Sequence, residues 1–163
     1  MISRFVPLQS MVKKLSSNID YTAEFSFIGI SCHLKDYRLS FFINQELGLK
    51  LKKTKDFFPE DKQKQSFNYP LFYYRCPDTN NNFCLISNHH SEKKLIQTFK
   101  QFDYFLLVQN NLSDLKKKEL ISNLKKIPNL LAAYEIELKK VKNINSLIVD
   151  LEIQLIENLK SYT

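Results

Sequence analysis

The chain has 163 residues, of which 44% are apolar, 13% aromatic and 25% charged, and its formal net charge at pH 7 is +7. This length suits one domain of about 100–200 residues, and the apolar content exceeds that of disordered chains. The longest apolar runs fall short of the roughly 18 residues that a membrane-spanning helix requires. The composition therefore excludes a disordered chain and predicts a soluble globular domain that does not enter a membrane.

The cysteines and the N-terminus predict a cytoplasmic protein. Cys32, Cys76 and Cys84 are odd in number and irregularly spaced, which favours reduced thiols over the disulfides of secreted proteins. The first residues, MISRFVPLQSMVKK, contain no continuous apolar core and no small-residue cleavage site, so we predict no signal peptide. Met11 is an alternative start, and the sequence leaves the choice between Met1 and Met11 open.

The first predicted elements are a strand and a helix. Residues 21–34 are nearly continuous in apolar residues, which predicts a strand buried on both faces at the centre of a sheet. Helical spacing follows, with Asp36 as the predicted N-cap and Gly48 as the C-terminal stop. The apolar stripe of this helix consists of Leu39, Phe42, Ile43 and Leu47.

Further strands and a second helix come next. Residues 49–55, 66–74 and 82–87 predict a hairpin or short meander, with a turn at residues 78–81. Residues 103–109 form another continuous apolar strand. Ser113 is the predicted cap of a helix that Pro128 ends, and residues 130–138 predict the last strand.

The predicted order β-α-β-β-β-β-α-β contains two strand–helix–strand units separated by antiparallel strands. We therefore expect an α+β fold, a ferredoxin-like split βαβ sandwich with an inserted β-hairpin and both helices on one face. In that arrangement the strands at 21–34 and 103–109 are adjacent and central, which agrees with their continuous apolar character.

The final segment, residues 143–163, predicts an extra amphipathic helix with Asn145 or Ser146 as its cap. Its apolar positions are Ile148, Leu151, Leu155, Leu159 and Tyr162. We expect this helix to dock on the open face of the sheet, because an exposed stripe of that size is a liability in a monomer. A surface for another protein or for a second copy is the alternative. The predicted organisation is an N-terminal extension (1–19), a single α+β domain (20–142) and the C-terminal helix (143–163).

Three segments resemble a bacterial family. They read ISCHLKDYRLSFFIN, LIQTFKQFDYFLLVQ and LKKIPNLLAAYEIEL with NSLI after it, and they lie within residues 20–148. The sequence is similar to the IPExxxVDY family, which has no established activity. The motif that names the family falls on Ile96, Gln97, Thr98, Phe102, Asp103 and Tyr104. Ile, Asp and Tyr are kept there, whereas Gln97, Thr98 and Phe102 replace Pro, Glu and Val, which argues against chemistry at the replaced positions.

Glycine content excludes several kinds of active site. The chain contains only Gly29 and Gly48, whereas a phosphate-cradling loop needs several closely spaced glycines. A nucleophile elbow needs glycines on both sides of its serine. We therefore predict no nucleotide cofactor and no hydrolase of that type.

The cysteines and histidines predict neither a metal site nor a nucleophile. Cys76, Cys84, His89 and His90 lack the tight spacing of zinc ligands. Cys32 and His33 are neighbours on a strand, so their side chains point to opposite faces and cannot form a thiolate–imidazole pair.

Asp36, Arg38, Asp103 and Tyr104 form a candidate polar cluster within the matched segments. A helix cap at Asp36 with Arg38 facing solvent is the structural interpretation of the first two. An unpaired carboxylate is costly inside a buried strand. Asp103 should therefore lie at the start of its strand or pair with a cation such as Arg38, and the sequence leaves open whether it is structural or part of a site.

The best candidate binding residues are lysines. Lys50, Lys52, Lys53 and Lys55 precede the aromatic stretch 67–74, and cations beside aromatics are how sheet surfaces hold single-stranded RNA. The remaining candidates for nucleic-acid binding are Lys116, Lys117 and Lys118. The alternative is that the aromatics are core residues and the lysines protect a strand edge from association.

We therefore expect a non-enzymatic binding protein, with RNA or a ribonucleoprotein as the leading partner. A protein–protein adaptor or regulatory subunit that uses the C-terminal helix and the open sheet face is the alternative. The third hypothesis is an enzyme with an acid–base site around Asp36, Arg38 and Asp103. RNA binding requires exposed lysines with aromatics among them. The adaptor hypothesis requires an exposed apolar patch, and the enzyme hypothesis requires a pocket that holds those three residues.

Overall fold

The computed structural model describes residues 21–60, 66–110 and 112–160, so the predicted extension at 1–19 lies outside the described residues. The described residues form six strands: Phe25–Cys32 (β1), Lys52–Lys53 (β2), Leu71–Arg75 (β3), Asn82–Ser87 (β4), Tyr104–Gln109 (β5) and Leu130–Glu135 (β6). Their helices are Asp36–Leu47 (α1), Asp114–Leu124 (α2) and Ile144–Lys160 (α3). Among these described helices, none has the length and apolar content needed to cross a bilayer.

The six described strands make one antiparallel sheet with the order β2-β3-β4-β5-β1-β6. β1 and β5 pair directly, with Phe27 opposite Leu107 and Ile28 opposite Leu106. Each also has a second neighbour, so the prediction that these two apolar strands are adjacent and interior is confirmed. The α+β fold class is confirmed as well.

Two hydrophobic cores lie on opposite faces of this sheet, because side chains alternate between faces along a strand. On one face Ile28 and Ile30 of β1 pack with Leu39 of α1 and Leu124 of α2. The core of the other face contains Phe25, Phe27, Phe105 and Leu107 of the sheet and Ile148, Leu151 and Leu155 of α3. The C-terminal helix therefore docks on its own sheet, as expected; Tyr162 of its predicted stripe lies outside the described residues.

The start of α1 differs from the prediction. Lys35, not Asp36, is the N-cap residue: its backbone is extended, and its carbonyl already accepts the N–H groups of Arg38 and Leu39. Asp36 is the first helical residue, and its Oδ1 accepts the N–H of Tyr37 at 2.8 Å. The end of α1 is as predicted, since Gly48 adopts the left-handed conformation with φ of 65°.

The other two helices also differ from prediction at one end. Ser113 caps α2 as predicted, with Oγ accepting the N–H of Lys116 at 3.3 Å. The helix ends at Leu124, before the predicted stop at Pro128. After Leu124 the N–H groups of Lys126 and Ile127 donate to the carbonyl of the third residue before each, and these hydrogen bonds tighten the chain into a turn. α3 begins at Ile144, so the predicted caps Asn145 and Ser146 lie inside the helix.

The strand predicted at 49–55 shortens to Lys52–Lys53. Its first part is attached to α1, since the side chain of Asn44 bonds both the N–H and the carbonyl of Leu51, at 2.8 and 3.1 Å. The strand predicted at 66–74 begins only at Leu71, with an isolated bridge between Phe57 and Tyr69 before it.

Gly29 allows a close approach in the middle of β1. A Cβ atom there would lie 2.7 Å from Cγ and Cδ2 of Phe102 and 2.8 Å from Cδ1 of Ile136. These distances are far below van der Waals contact, so a larger residue would displace the Phe102 ring. Phe102 thus packs directly on the backbone of β1.

Candidate functional site

The four lysines before the aromatic stretch lie in β2 or within two residues of it, and we call this group the β2 edge: Lys50, Lys52, Lys53 and Lys55. Among the described strands, β2 is the terminal one and pairs with β3 alone. All four side chains are exposed. Lys50, Lys52 and Lys55 form no ion pair with any other described residue.

Lys53 differs from the other three because its charge is compensated. Its Nζ lies 2.6 Å from Oδ1 of Asp56 and 5.4 Å from the ring centre of Phe72. Burial alone would raise the pKa of Asp56, but the hydrogen bonds from Lys53 and Asn68 outweigh it, and the pKa lies below its ordinary value. Lys53 therefore has less free charge to offer a phosphate than its neighbours.

The aromatic stretch 67–74 belongs to the core. Phe67, Tyr69 and Phe72 are buried, while Tyr73 and Tyr74 are half-buried. The hydroxyl of Tyr73 donates to Oδ1 of Asn82 at 2.9 Å. The alternative interpretation, that these aromatics are core residues, is thus correct. This stretch offers no exposed platform for base stacking.

The second group of candidate lysines lies on the first turns of α2. Lys116 and Lys118 are exposed, whereas Lys117 is half-buried and its Nζ lies 2.8 Å from Oε1 of Glu135. Lys116 lines a cleft of about 250 Å³ together with Leu49, the residue before Lys50. The same cleft is lined by Glu46 and Glu119, so acidic side chains separate this group from the β2 edge.

The predicted polar cluster does not form as expected. Asp103 lies immediately before β5, and its Oδ1 is 2.6 Å from Nε2 of His89. Its Oδ2 accepts the N–H of Cys32 at 2.9 Å. Asp103 therefore lies at the start of its strand, which is one of the two predicted alternatives, and its partner is His89 rather than Arg38, an exposed residue of α1. Sequence reasoning missed His89.

His89 has a partner at each ring nitrogen. Nζ of Lys94 lies 2.7 Å from Nδ1. The same Nζ lies 3.2 Å from Nε2, the nitrogen that faces Asp103. This cluster is suited to holding β1, β5 and the segment after β4 together.

Tyr104 and Cys32 are unsuited to act as a base or a nucleophile at neutral pH, because both stay protonated. The hydroxyl of Tyr104 donates to the carbonyl of Leu34 at 2.7 Å, and burial, with nearby negative groups, raises its pKa well above the ordinary value. Burial raises the pKa of Cys32 to about 11. Cys32 is buried and His33 exposed, as their predicted positions on opposite faces require.

A cleft of about 310 Å³ opens between α3 and the sheet, and we call it the α3 cleft. Its apolar lining comprises Phe25, Cys84, Leu107, Ile148, Leu151, Leu155, Ile156 and Leu159. Its polar lining comprises Tyr73, Asn82, Gln109 and Glu152. Sequence reasoning missed this site because five elements contribute to it.

A larger cleft of about 500 Å³ lies beside the first turns of α3. Its charged lining combines three lysines, Lys93, Lys94 and Lys142, with Glu60 and Asp150. Burial raises the pKa of Asp150, although its Oδ2 accepts the N–H of Glu60 at 3.1 Å. Cations and carboxylates are thus mixed here.

None of these three clefts is lined by Asp36, Arg38 or Asp103, which the enzyme hypothesis requires in one pocket. Within residues 21–60, 66–110 and 112–160, no three His, Cys, Asp or Glu side chains are grouped to hold a metal ion. Burial raises the pKa of Cys84 to about 12, so this thiol is protonated at neutral pH.

Neither a protein-family model nor a curated protein matches the sequence. The three segments that resemble the IPExxxVDY family do meet in space. Asp103 and Tyr104 contact the backbone of Cys32 and Leu34, and the rings of Phe102 and Tyr134 lie 6.4 Å apart. Membership of that family stays a prediction.

Proposed function

We propose that this protein is a cytoplasmic, non-enzymatic binding protein that contacts RNA phosphates through the β2 edge. The observation that carries the proposal is the row of exposed lysines there, three of them without an ion pair among the described residues. Closely spaced cations bind a phosphate backbone by releasing its condensed counterions. The net charge of +7 favours the approach of such a partner.

The burial of the aromatic stretch defines the mode of binding. With Phe67, Tyr69 and Phe72 in the core, base stacking contributes nothing at this edge. Phosphate contacts position a protein without reading sequence, so we expect little sequence preference. Lys116 and Lys118 form a second, separate group of exposed cations, and Lys117 and Lys53 contribute less because each is paired with a carboxylate.

A salt titration tests this proposal. The affinity for a fluorescently labelled single-stranded RNA should fall with salt, with a slope of about −0.7 for each phosphate contacted. A triple variant in which Lys50, Lys52 and Lys55 are all changed to Ala should show a slope smaller in magnitude by about two. Fluorescence anisotropy between about 50 and 300 mM salt measures both values.

The matched control replaces Lys100, Lys126 and Lys139, which are also exposed, and so removes the same charge from other places. The control should keep at least most of the slope. An equal loss in both triple variants, or no binding by the wild type at low salt, would refute a specific β2 edge. Self-association of the β2 edge variant alone would instead identify these lysines as protection of a strand edge.

The finer fold and the family are part of the same proposal. The order β4-β5-β1-β6, with α1 and α2 on one face, supports a ferredoxin-like split βαβ core. β2 and β3 would then be the inserted hairpin, and this insertion carries the β2 edge. The LKDYRL and IPNLLAAYEI segments support membership of the IPExxxVDY family.

A protein partner is the second candidate function. Ile156 and Leu159, near the C-terminal end of α3, are 41% and 52% exposed, while the rest of the stripe packs on the sheet. A partner protein would therefore contact α3 only at this end. A protein that co-purifies after ribonuclease treatment, and is lost when both residues are changed to Ser, would favour this function over RNA binding.

A further inference from the structure

The α3 cleft has the size and lining of a small-molecule site. Its volume of about 310 Å³ lies at the lower limit of ligand pockets, which range over roughly 300–1,000 Å³. The sheet contributes Phe25 and Leu107 to its lining, and α3 contributes Leu151 and Leu155. Such sites combine an apolar interior with a few polar groups that orient the ligand.

Three of the polar lining residues satisfy one another. The hydroxyl of Tyr73 donates to Oδ1 of Asn82 at 2.9 Å, and Nδ2 of Asn82 donates to Oε1 of Gln109 at 2.5 Å. This chain of hydrogen bonds connects β3, β4 and β5. Glu152 is the polar lining residue that this chain of hydrogen bonds does not include.

Glu152 is the only charged side chain among the described residues that line the α3 cleft. Its carboxylate makes no hydrogen bond and no ion pair with any described residue. Burial, and then the negative charge of Glu24, raise its pKa above the ordinary value. A half-buried carboxylate without a partner is costly, and a donor or a cation supplied by a ligand would remove that cost.

The charge of the site selects among ligands with an apolar body. No lysine or arginine is found among the described lining residues, so nothing there attracts a carboxylate or a phosphate. Glu152 and the nearby Glu24 repel such anions. An ammonium group is complementary to this site, and a charge-assisted hydrogen bond is stronger than a neutral one.

We propose that the α3 cleft binds a small organic amine, with its ammonium group on the carboxylate of Glu152 and its apolar body between α3 and the sheet. The contact pairs the carboxylate of Glu152 with an opposite charge. The apolar body lies against Leu107, Leu151 and Leu155. The proposal does not depend on RNA binding, since none of the candidate lysines lines this cleft.

Three probes with the same ring and different head groups test the proposal: 2-phenylethylamine, 2-phenylethanol and 3-phenylpropionate. Each is titrated into the full-length, ¹⁵N-labelled chain and followed through the amide signals of β5 and α3. The amine should cause saturable shifts there and bind about tenfold more tightly than the alcohol. The anion should cause no saturable shift.

Two variants on α3 complete the test. Glu152→Gln keeps the shape of the side chain and should weaken amine binding about tenfold while leaving alcohol binding unchanged. Glu157→Gln removes the same charge from an exposed residue that does not line the cleft, and it should leave both affinities unchanged. The melting temperature of each variant shows that it remains folded.

Several results would overturn the proposal. Equal affinities for the amine and the alcohol would show that Glu152 makes no contact with the head group. Tighter binding of phenylpropionate would show that the cleft takes anions. Equal losses in Glu152→Gln and Glu157→Gln would show a general effect of charge, and no saturable shift up to about 10 mM amine would show that there is no amine site.

Discussion

At the scale of single residues, Asp103 connects β1, β5 and the segment after β4. One carboxylate oxygen accepts the N–H of Cys32 at the end of β1, and the other faces His89 beyond the end of β4. Its backbone N–H also donates to the carbonyl of Ile30. These contacts give Asp103 a structural role.

Replacing Asp103 with Ala should reduce the free energy of unfolding by about 1–3 kcal/mol, because the N–H of Cys32 loses its acceptor. Urea unfolding followed by circular dichroism measures the change. Asp36→Ala is the control: it removes an acidic side chain from the first turn of α1, which is worth about 0.3–1 kcal/mol. Equal losses in the two variants would mean that the Cys32 contact adds no stability.

Glu152 should make stability depend on pH in a predictable direction. Its ordinary pKa is 4.5, and burial raises the value in the folded protein. The folded protein therefore favours the protonated carboxyl over the charged one. The stability that this preference gives is fully present below pH 4.5, and it is lost as the pH rises through the pKa of the folded state. Glu152→Gln should accordingly raise the melting temperature at pH 7.

Scanning calorimetry of wild type and Glu152→Gln at several pH values measures this effect. The gain from the substitution should disappear as the pH falls below the ordinary pKa, because both side chains are then neutral. Glu157→Gln, on the exposed part of α3, should give no comparable gain. A gain from Glu152→Gln that is the same at every pH would contradict the assigned cause.

Among the elements, α3 is the one whose position decides which surfaces are open. Ile148, Leu151 and Leu155 are buried in the same core as Phe27 and Phe105 of the sheet. A helix with a buried apolar stripe is stabilised mainly by that packing rather than by its own propensity. The sheet face that the adaptor hypothesis requires is thus covered by the protein's own helix.

Two leucines of α3 test this packing with the same change in helix propensity. Leu151→Ala should cost about 2–5 kcal/mol, because it leaves a cavity in the core. Leu159→Ala, at a site that is 52% exposed, should stay within about 0.5 kcal/mol of the wild type. Chemical denaturation measures both. Similar small effects would mean that α3 contributes little to the core.

For the whole molecule, the sheet order separates a stable centre from two edges. β1 and β5 each have neighbours on both sides, whereas β2 and β6 pair on one side only within the part of the chain that the structure describes. The two proposed sites carry opposite charges: lysines on the β2 edge and a carboxylate in the α3 cleft. An anionic polymer and a small cation therefore need not compete.

Amide hydrogen exchange should reproduce this order. The amides of β1 and β5 should exchange most slowly, because they open only with the whole fold, and those of β2 and β6 should exchange faster. Exchange followed by NMR measures each strand. Protection of β6 equal to that of β1 would show that a further strand covers its edge.

The sequence by itself determined the features that depend on neighbouring residues. The continuous apolar runs of β1 and β5 predicted adjacent interior strands, Ser113 predicted a cap, and Gly48 predicted a helix end. Each of these is a local property, since strand and helix periods and caps are set within a few residues. The apolar spacing of α3 belongs to the same class.

Only the tertiary structure decided which distant side chains meet. Asp103 pairs with His89 rather than Arg38, and the segment before β2 is bonded to Asn44 and not to the sheet. The α3 cleft exists because α3 lies across four strands. Glu152, the one charged group among its described lining residues, resembles any other surface glutamate in the sequence. The physical reason is that periodicity indicates which face of an element is apolar, but not which other element covers that face.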